Sequence, residues 1–226
     1  MTRSDTDTDA ARPAAPGDAA EPAGQDEQTR TRLLRAAITV FDRKGYTAAS
    51  VREIVEMAGV TKPALYYHFG SKERLLAAVL EQAAREFTRT MDRVVSRPGT
   101  ARERLLALVI DLHGLFQQNV PVVRVAHAAF FGPVEGTPPF DFTIFDREME
   151  RAVRRIVEEG QAAGEVAATA APSDVALVVM GIVGVFNMRQ LHYGVNQVDP
   201  GALQRLVGLA FDGAFGPQRQ QGEPRS

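Results

Sequence analysis

The segment between residues 50 and 72 constrains the fold of this chain most strongly, and it reads SVREIVEMAGVTKPALYYHFGSK. Ser50 and Glu53 have the Ser-x-x-Glu spacing of a capping box, which predicts the start of a helix. Gly59 suits the left-handed backbone at the end of that helix, and Thr61 suits the N-cap of a second one. The pattern predicts two short helices joined by a tight turn.

The second of these helices has one buried and one polar face. Leu65 and Phe69 are one turn apart and point inward, with Pro63 in the first turn, where no amide donor is needed. The remaining face carries cationic, hydroxyl and imidazole side chains, from Lys62, Tyr66, Tyr67 and His68. A short helix anchored in this way is typical of insertion into the major groove of DNA.

The charge of the chain is distributed unevenly, although its total is only −2. Residues 1–27 hold two arginines against seven carboxylates, and residues 28–72 hold eight cations against three carboxylates. The first segment therefore has a net charge of −5 and the second +5. The positive field coincides with the two-helix motif, as contact with phosphates requires.

This motif closely resembles the DNA-binding domain of the tetracycline-repressor (TetR) family of bacterial regulators. The resemblance covers roughly residues 30–80, and its most specific parts are Ala58-Gly59-Val60-Thr61, Leu65-Tyr66-Tyr67-His68-Phe69 and Ser71-Lys72-Glu73. It implies an operator of double-stranded DNA with inverted half-sites. It also implies a homodimer, in which the last two helices of each subunit form a four-helix bundle. The alternative is that these helices only complete the core of a monomer.

The resemblance, read together with side-chain chemistry, predicts which residues contact DNA. The predicted residues are Ser50, Thr61, Lys62, Pro63, Ala64, Tyr66, Tyr67, His68 and Lys72. Lys62 can reach a guanine edge or a phosphate, and Tyr67 can donate its hydroxyl to a phosphate. Two alternatives stay open, because Tyr66 can instead pack on the first helix of the motif and His68 can be a surface histidine without a base contact.

Apolar residues recur at helical spacing along the rest of the chain, which predicts an all-α fold. A long helix follows Ser71 and ends before Pro98, and further helices are expected at about 101–118, 121–131, 142–163, 173–193 and 200–215. We predict four regions: a disordered acidic tail (1–27), a helix-turn-helix domain (28–75), a ligand-binding and dimerisation domain (76–216) and a second disordered tail (217–226).

The middle helices predict a small-molecule cavity, because aromatic residues cluster there among a few polar groups. The predicted ligand-binding residues are Phe116, Arg124, His127, Phe131, Phe145 and Asn187, and the apolar segment 130–142 is expected to form part of the wall. The ligand should be mostly apolar, with a polar or anionic end that Arg124 or Arg189 could meet. The alternative is a plain aromatic core.

Other classes of protein fit the sequence poorly. There is no cysteine, the four histidines lack metal-ligand spacing, and no phosphate-binding or nucleophile motif occurs. We expect no enzyme activity, no metal and no cofactor. No apolar run approaches the roughly 20 residues that span a bilayer. The composition agrees with a cytoplasmic protein that does not enter a membrane.

We therefore interpret the chain as a homodimeric, DNA-binding transcriptional regulator, a repressor released from its operator by a small, mostly apolar ligand. One alternative is an activator, or a regulator controlled by a partner protein without a small ligand. An alternative of another class is a helical protein-binding module whose basic segment serves association.

Overall fold

The fold consists of α-helices that pack around two hydrophobic cores. The computed structural model describes residues 23–132, 140–193 and 200–215, and within these ranges every regular element is a helix, which confirms the predicted fold class. In chain order the helices are α1 (Ala23–Ala48), α2 (Val51–Ala58), α3 (Lys62–Phe69), α4 (Lys72–Val95), α5 (Ala101–Gln118), α6 (Val120–Phe131), α7 (Thr143–Ala162), α8 (Pro172–Tyr193) and α9 (Pro200–Phe215).

The first core lies among α1, α2, α3 and the N-terminal half of α4, which together we call the head. It is built from fully buried side chains such as Leu33, Ile54, Leu65 and Leu75. Val125 of α6 is buried in the same core, and further apolar residues of α6 pack against it, so a helix from later in the chain completes the head. The motif helices are thus held by side-chain packing as well as by their own caps.

The second core lies among α4, α5, α7, α8 and α9, which we call the body. Its centre includes Met91, Leu108, Ile156 and Val179, all without exposed surface. Helix α4 contributes to both cores, with Leu76 and Val79 in the head and Phe87 and later residues in the body. The predicted division at residues 75 and 76 falls inside this shared helix, and the domain boundaries stay a prediction.

The acidic tail is shorter than predicted at its C-terminal end. Helix α1 begins at Ala23, so residues 23–27 are helical in the structure although the sequence indicated disorder. Asp26 lies in the first turn, where a carboxylate interacts favourably with the helix dipole. Residues 1–22 and 217–226 lie outside the described residues. At the other end, Gly45 interrupts α1 with a non-helical backbone of φ 77° and ψ 162°.

Helix α8 is more apolar on average than the lack of a long unbroken apolar run in the sequence indicated. Among the described residues, Pro172–His192 has the length and mean hydropathy of a helix that could cross a membrane, because scattered polar residues interrupt the run without lowering its average enough. Val175 and Val179 of this helix face the body core, whereas Leu177 and Val185 are exposed. A single chain therefore leaves an apolar face of α8 uncovered.

Gly160 allows the close contact between α7 and the start of α5. A Cβ atom at position 160 would lie 2.6 Å from the Cβ of Ala101 and 2.7 Å from a methyl group of Val166. We expect Gly160→Ala to lower the free energy of unfolding by about 1–3 kcal/mol, the usual cost of overpacking. Chemical denaturation of the purified variant measures this change.

Gly114→Ala is the matched control for that substitution. Gly114 also lies within a helix, α5, but an added Cβ there meets no atom within 4 Å. The control should stabilise the protein by up to about 1 kcal/mol through helix propensity alone. A Gly160→Ala protein as stable as the wild type would contradict the close helix crossing.

Candidate nucleic-acid interface

The caps predicted for the two motif helices are present. The Ser50 side chain accepts the backbone N–H of Glu53 at 3.2 Å, and the Glu53 carboxylate accepts the Ser50 backbone N–H at 3.1 Å. Gly59 ends α2 in the left-handed conformation, with φ 64° and ψ 39°. Thr61 then caps α3 by accepting the Ala64 N–H at 3.4 Å. These bonds fix the angle at which α3 leaves α2.

Helix α3 presents a polar face to solvent, as predicted. Leu65 and Phe69 are buried in the head core. The opposite face exposes Tyr67 to 80% and Tyr66 to 51%, so Tyr66 is not covered by α2. Thr61, Lys62 and Pro63 at its N-terminus are exposed too, and Ala64 is half-buried. The Thr61 hydroxyl, the Lys62 ammonium group and the two phenols therefore share an accessible surface at one short helix.

His68 lies apart from this exposed surface, and its role as a DNA contact stays a prediction. Its side chain is only 7% exposed, and Nε2 lies 3.5 Å from a carboxylate oxygen of Asp26. The first turn of α1 covers the imidazole, because α1 begins earlier than the sequence indicated. No local pattern in α3 could reveal this, since Asp26 is far away along the chain.

Lys72 has a structural role that the sequence analysis missed. Its ammonium group donates to the backbone carbonyls of Tyr46 at 3.0 Å and Ala49 at 2.9 Å, and it lies 4.4 Å from the centre of the Tyr46 ring. These carbonyls follow the break at Gly45, where the last turns of a helix lack backbone donors. Lys72 thus ties the start of α4 to the end of α1, and two of its three N–H donors are already used.

Two head cations are balanced by neighbouring carboxylates. Lys44 is paired with Glu53, and Arg52 with Glu56 across one turn of α2. Lys62, in contrast, forms no ion pair with any residue that the structure describes. The unbalanced positive charge at the N-terminus of α3 therefore adds to the positive end of the helix dipole, which favours an anion such as phosphate.

A cavity of about 320 Å³ lies beside the head, between α4, α5, α6 and α7, with Ile38 of α1 also in its wall. Four of the six residues predicted for ligand binding line it, namely Phe116, His127, Phe131 and Phe145. Phe130, Phe131 and Phe142 belong to the predicted wall segment and also line the cavity, whereas residues 133–139 lie outside the described residues. Most of the remaining lining is apolar.

The other two predicted ligand-binding residues lie elsewhere. Arg124 points toward the head, where its Nε is 3.2 Å from a carboxylate oxygen of Asp42 in α1. Asn187 is on α8 and does not line the cavity, and its buried side-chain oxygen has no hydrogen-bond partner among the described residues. Sequence reasoning missed polar lining residues at Gln82, Glu86, Asn119 and Asp146. The i, i+4 spacing of Gln82 and Glu86 beside Ala83 and Phe87 was the available signal.

Comparison with known proteins agrees with this architecture. The family model described as bacterial regulatory proteins of the tetR family matches residues 33–79, which cover most of the head. A solved gamma-butyrolactone receptor, an ArpA-like protein, is 30% identical, with a TM-score of 0.58, and the match covers 82% of this chain and 96% of that one. The chain belongs to the TetR family. The resemblance inferred from the sequence is thereby confirmed.

Two further relatives are similar to this TetR-family chain over most of its length. CprB from S. coelicolor A3(2), a TetR-family protein, is 25% identical with a TM-score of 0.65, and the match covers 85% of this chain and 92% of CprB. The transcriptional repressor NicS of Pseudomonas putida KT2440 is 27% identical over 63% of this chain and 68% of its own. The chain is accordingly a DNA-binding transcriptional regulator, and this class of protein is not enzymatic.

The capping box makes the head sensitive to acid. Hydrogen bonds from Lys44 and Ser50 lower the pKa of Glu53 to about 2 from its usual 4.5. Because the folded pKa is the lower one, the stabilisation is fully present above pH 4.5 and is lost as the pH falls toward 2. Wild type should therefore lose its stability advantage over Glu53→Gln across this interval, measured by circular dichroism during denaturation at each pH.

Glu81→Gln is the control, since it removes an exposed carboxylate of α4 outside the capping box. The difference between wild type and this control should depend less on pH. An equal pH dependence for the two variants would show that the Glu53 carboxylate has no special role in the head.

Proposed function

We propose that the chain is a homodimeric repressor that binds an inverted-repeat DNA operator through α3 and leaves it when a small, mostly apolar ligand occupies the cavity. The observation that carries the proposal is the exposed face of α3, with Lys62 and Tyr67 on a helix fixed by caps at its start and by Leu65 and Phe69 in the core. The repressor NicS supports the mode of action by similarity.

The proposal gives separate roles to the residues on this surface. Lys62 reaches a guanine edge or a phosphate, and Tyr67 donates its hydroxyl to a phosphate. The Thr61 hydroxyl, which can still donate its proton, and the backbone N–H of Lys62 bind a second phosphate. Additional contacts to DNA come from Pro63, Ala64, Tyr66 and Ser50. Lys72 contributes chiefly by positioning the head, with one N–H left for a phosphate.

The dimer of the proposal forms through α8 and α9. Their exposed side chains are unusually apolar for a surface, and they include Leu177, Val178, Val185, Met188, Leu206 and Leu209. Added Cβ atoms at Gly181 and Gly184 meet nothing within 4 Å in one chain, so the backbone of α8 is open to close approach there. A two-fold dimer also matches DNA recognition, because one short helix binds weakly and two read inverted half-sites.

Helix α6 provides a physical connection from the cavity to the head. Val122, Ala126 and His127 line the cavity, while Val125 on the same helix is buried in the head core. The adjacent Arg124 pairs with Asp42 of α1. A ligand that alters the position of α6 therefore changes the support of α1. The ligand weakens operator binding only to the extent that it binds more tightly to the conformation of the protein that does not bind DNA.

Activation of transcription is a second candidate mode of action, because one relative is an activator, whereas NicS is a repressor. The transcriptional activator FasR of Mycolicibacterium smegmatis is 40% identical over 83 residues, which are 37% of this chain and 38% of FasR. The same operator contacts serve either mode. The position of the operator relative to the promoter decides between them, since a repressor site overlaps the region that the polymerase occupies.

Lys62→Ala tests the DNA-binding surface. We expect weaker binding to an operator selected from genomic fragments, by about 1–3 kcal/mol if the ammonium group reads a base edge. A phosphate contact would instead lower the log–log salt slope by about one unit. Fluorescence anisotropy at several salt concentrations measures both quantities.

Arg154→Ala removes a cation of similar size from the exposed, ion-paired face of α7 and serves as the control. It should leave the affinity nearly unchanged. Operator binding by Lys62→Ala as tight as that of wild type, at every salt concentration, would refute the assignment of α3.

Gly184→Leu tests the dimer. In an isolated chain the new side chain meets open space and replaces a glycine inside a helix, so it should be tolerated. In the proposed dimer it separates two helices, and we expect monomers or aggregates that bind the operator poorly. Light scattering reports the mass, and Ala163→Leu at the exposed end of α7 is the control. A normal dimer formed by Gly184→Leu would place the interface elsewhere.

A further inference from the structure

The charges around the cavity restrict the ligand that it can take. Its described lining contains two ionisable acids, Glu86 and Asp146, and no lysine or arginine. The two arginines expected to meet an anionic ligand are both directed elsewhere, since Arg124 pairs with Asp42 and Arg189 is on the exposed surface of α8. A carboxylate or phosphate in this cavity would lose its hydration without gaining a cation.

Neither acid offers a dry counterion for a cationic ligand. Glu86 already accepts a hydrogen bond from Arg89 at 2.6 Å. Asp146 is exposed to water and lies in the first turn of α7, where it interacts favourably with the helix dipole. An ammonium group would thus exchange its water for one neutralised carboxylate and one solvated carboxylate. The cavity favours neither sign of charge.

One polar atom near the cavity lacks a partner. The Nε2 atom of His127 is buried and makes no hydrogen bond within the described part of the chain. The ring is covered by Phe131, with 4.5 Å between ring centres, and Phe131 is itself 69% exposed. Phe131 is therefore not fixed by a packed core, and an outward turn of its ring would let a ligand group reach Nε2. A hydroxyl suits this position because it can donate to or accept from either tautomer of the imidazole.

The geometry points to an uncharged apolar ligand that carries a hydroxyl group, with its apolar body among the phenylalanines and its hydroxyl on His127. The cavity of about 320 Å³ is at the lower end of the roughly 300–1,000 Å³ of small-molecule pockets, so it suits a small ligand. This inference rests on the proposed function, because it specifies the ligand class of the same cavity. It replaces the anionic end expected from the sequence with a neutral one.

A set of probes of equal chain length tests the inference on the full chain: 1-octanol, octanoate and octylammonium. Isothermal titration at neutral pH should give a dissociation constant for 1-octanol at least about tenfold lower than for either ion, because only the ions lose strong hydration. His127→Phe should weaken 1-octanol binding by about two- to tenfold, the range for one net hydrogen bond.

Two variants locate the probe and test the role of charge. Ala83→Phe fills the cavity from α4 and should abolish 1-octanol binding. Asp146→Asn should leave 1-octanol binding unchanged and raise octanoate affinity severalfold. Its control is Glu150→Gln one turn further along α7, where the carboxylate pairs with Arg154 outside the cavity.

The outcomes separate this inference from the proposed function. Binding of octanoate or octylammonium as tight as that of 1-octanol would overturn the inference, as would 1-octanol binding that survives Ala83→Phe. Absence of 1-octanol binding would overturn it too. In each case wild-type operator binding, with its loss in Lys62→Ala, would still support the DNA-binding regulator.

Discussion

The structure depends on α4 being shared by two hydrophobic cores. Leu75 and Leu76 at its start are buried in the head, and Met91 and Val94 near its end are buried in the body. Because protein interiors are close-packed, α4 cannot move in one core without repacking the other. Val125 of α6 makes a second connection. Two helices rather than one therefore link the cavity to the DNA-binding surface.

The head was predictable from sequence wherever the determining contacts are local. Ser50, Gly59 and Thr61 act on backbone groups within a few residues, and their roles follow from spacing and conformational preference. The intramolecular contacts of His68 and Lys72 were not predicted, because their partners, Asp26 and the carbonyls of Tyr46 and Ala49, lie more than 20 residues away. Local patterns specify helix ends well but do not specify which surfaces other helices cover.

The same distinction holds for the cavity. Clustering of phenylalanines located its walls, because apolar side chains of neighbouring helices gather wherever they can be buried. The polar groups were harder to place, since Arg124 is on the same helix as His127 yet faces α1 rather than the cavity. Arg124 and His127 are three residues apart and therefore only about 60° apart around α6, yet this is enough for one to meet α1 and the other the cavity. The sign of the charges that line the cavity could be determined only from the packed structure.

The uncovered face of α8 bears on how much active regulator a cell contains. Leu177 and Val185 remain exposed in one chain, and under the proposed dimer a second copy covers them. Assembly is then a bimolecular reaction, and the stability of each chain is linked to the concentration of the others. At low expression the amount of DNA-competent protein grows with the square of the chain concentration. A modest change in synthesis of the regulator would thus produce a disproportionate change in operator occupancy.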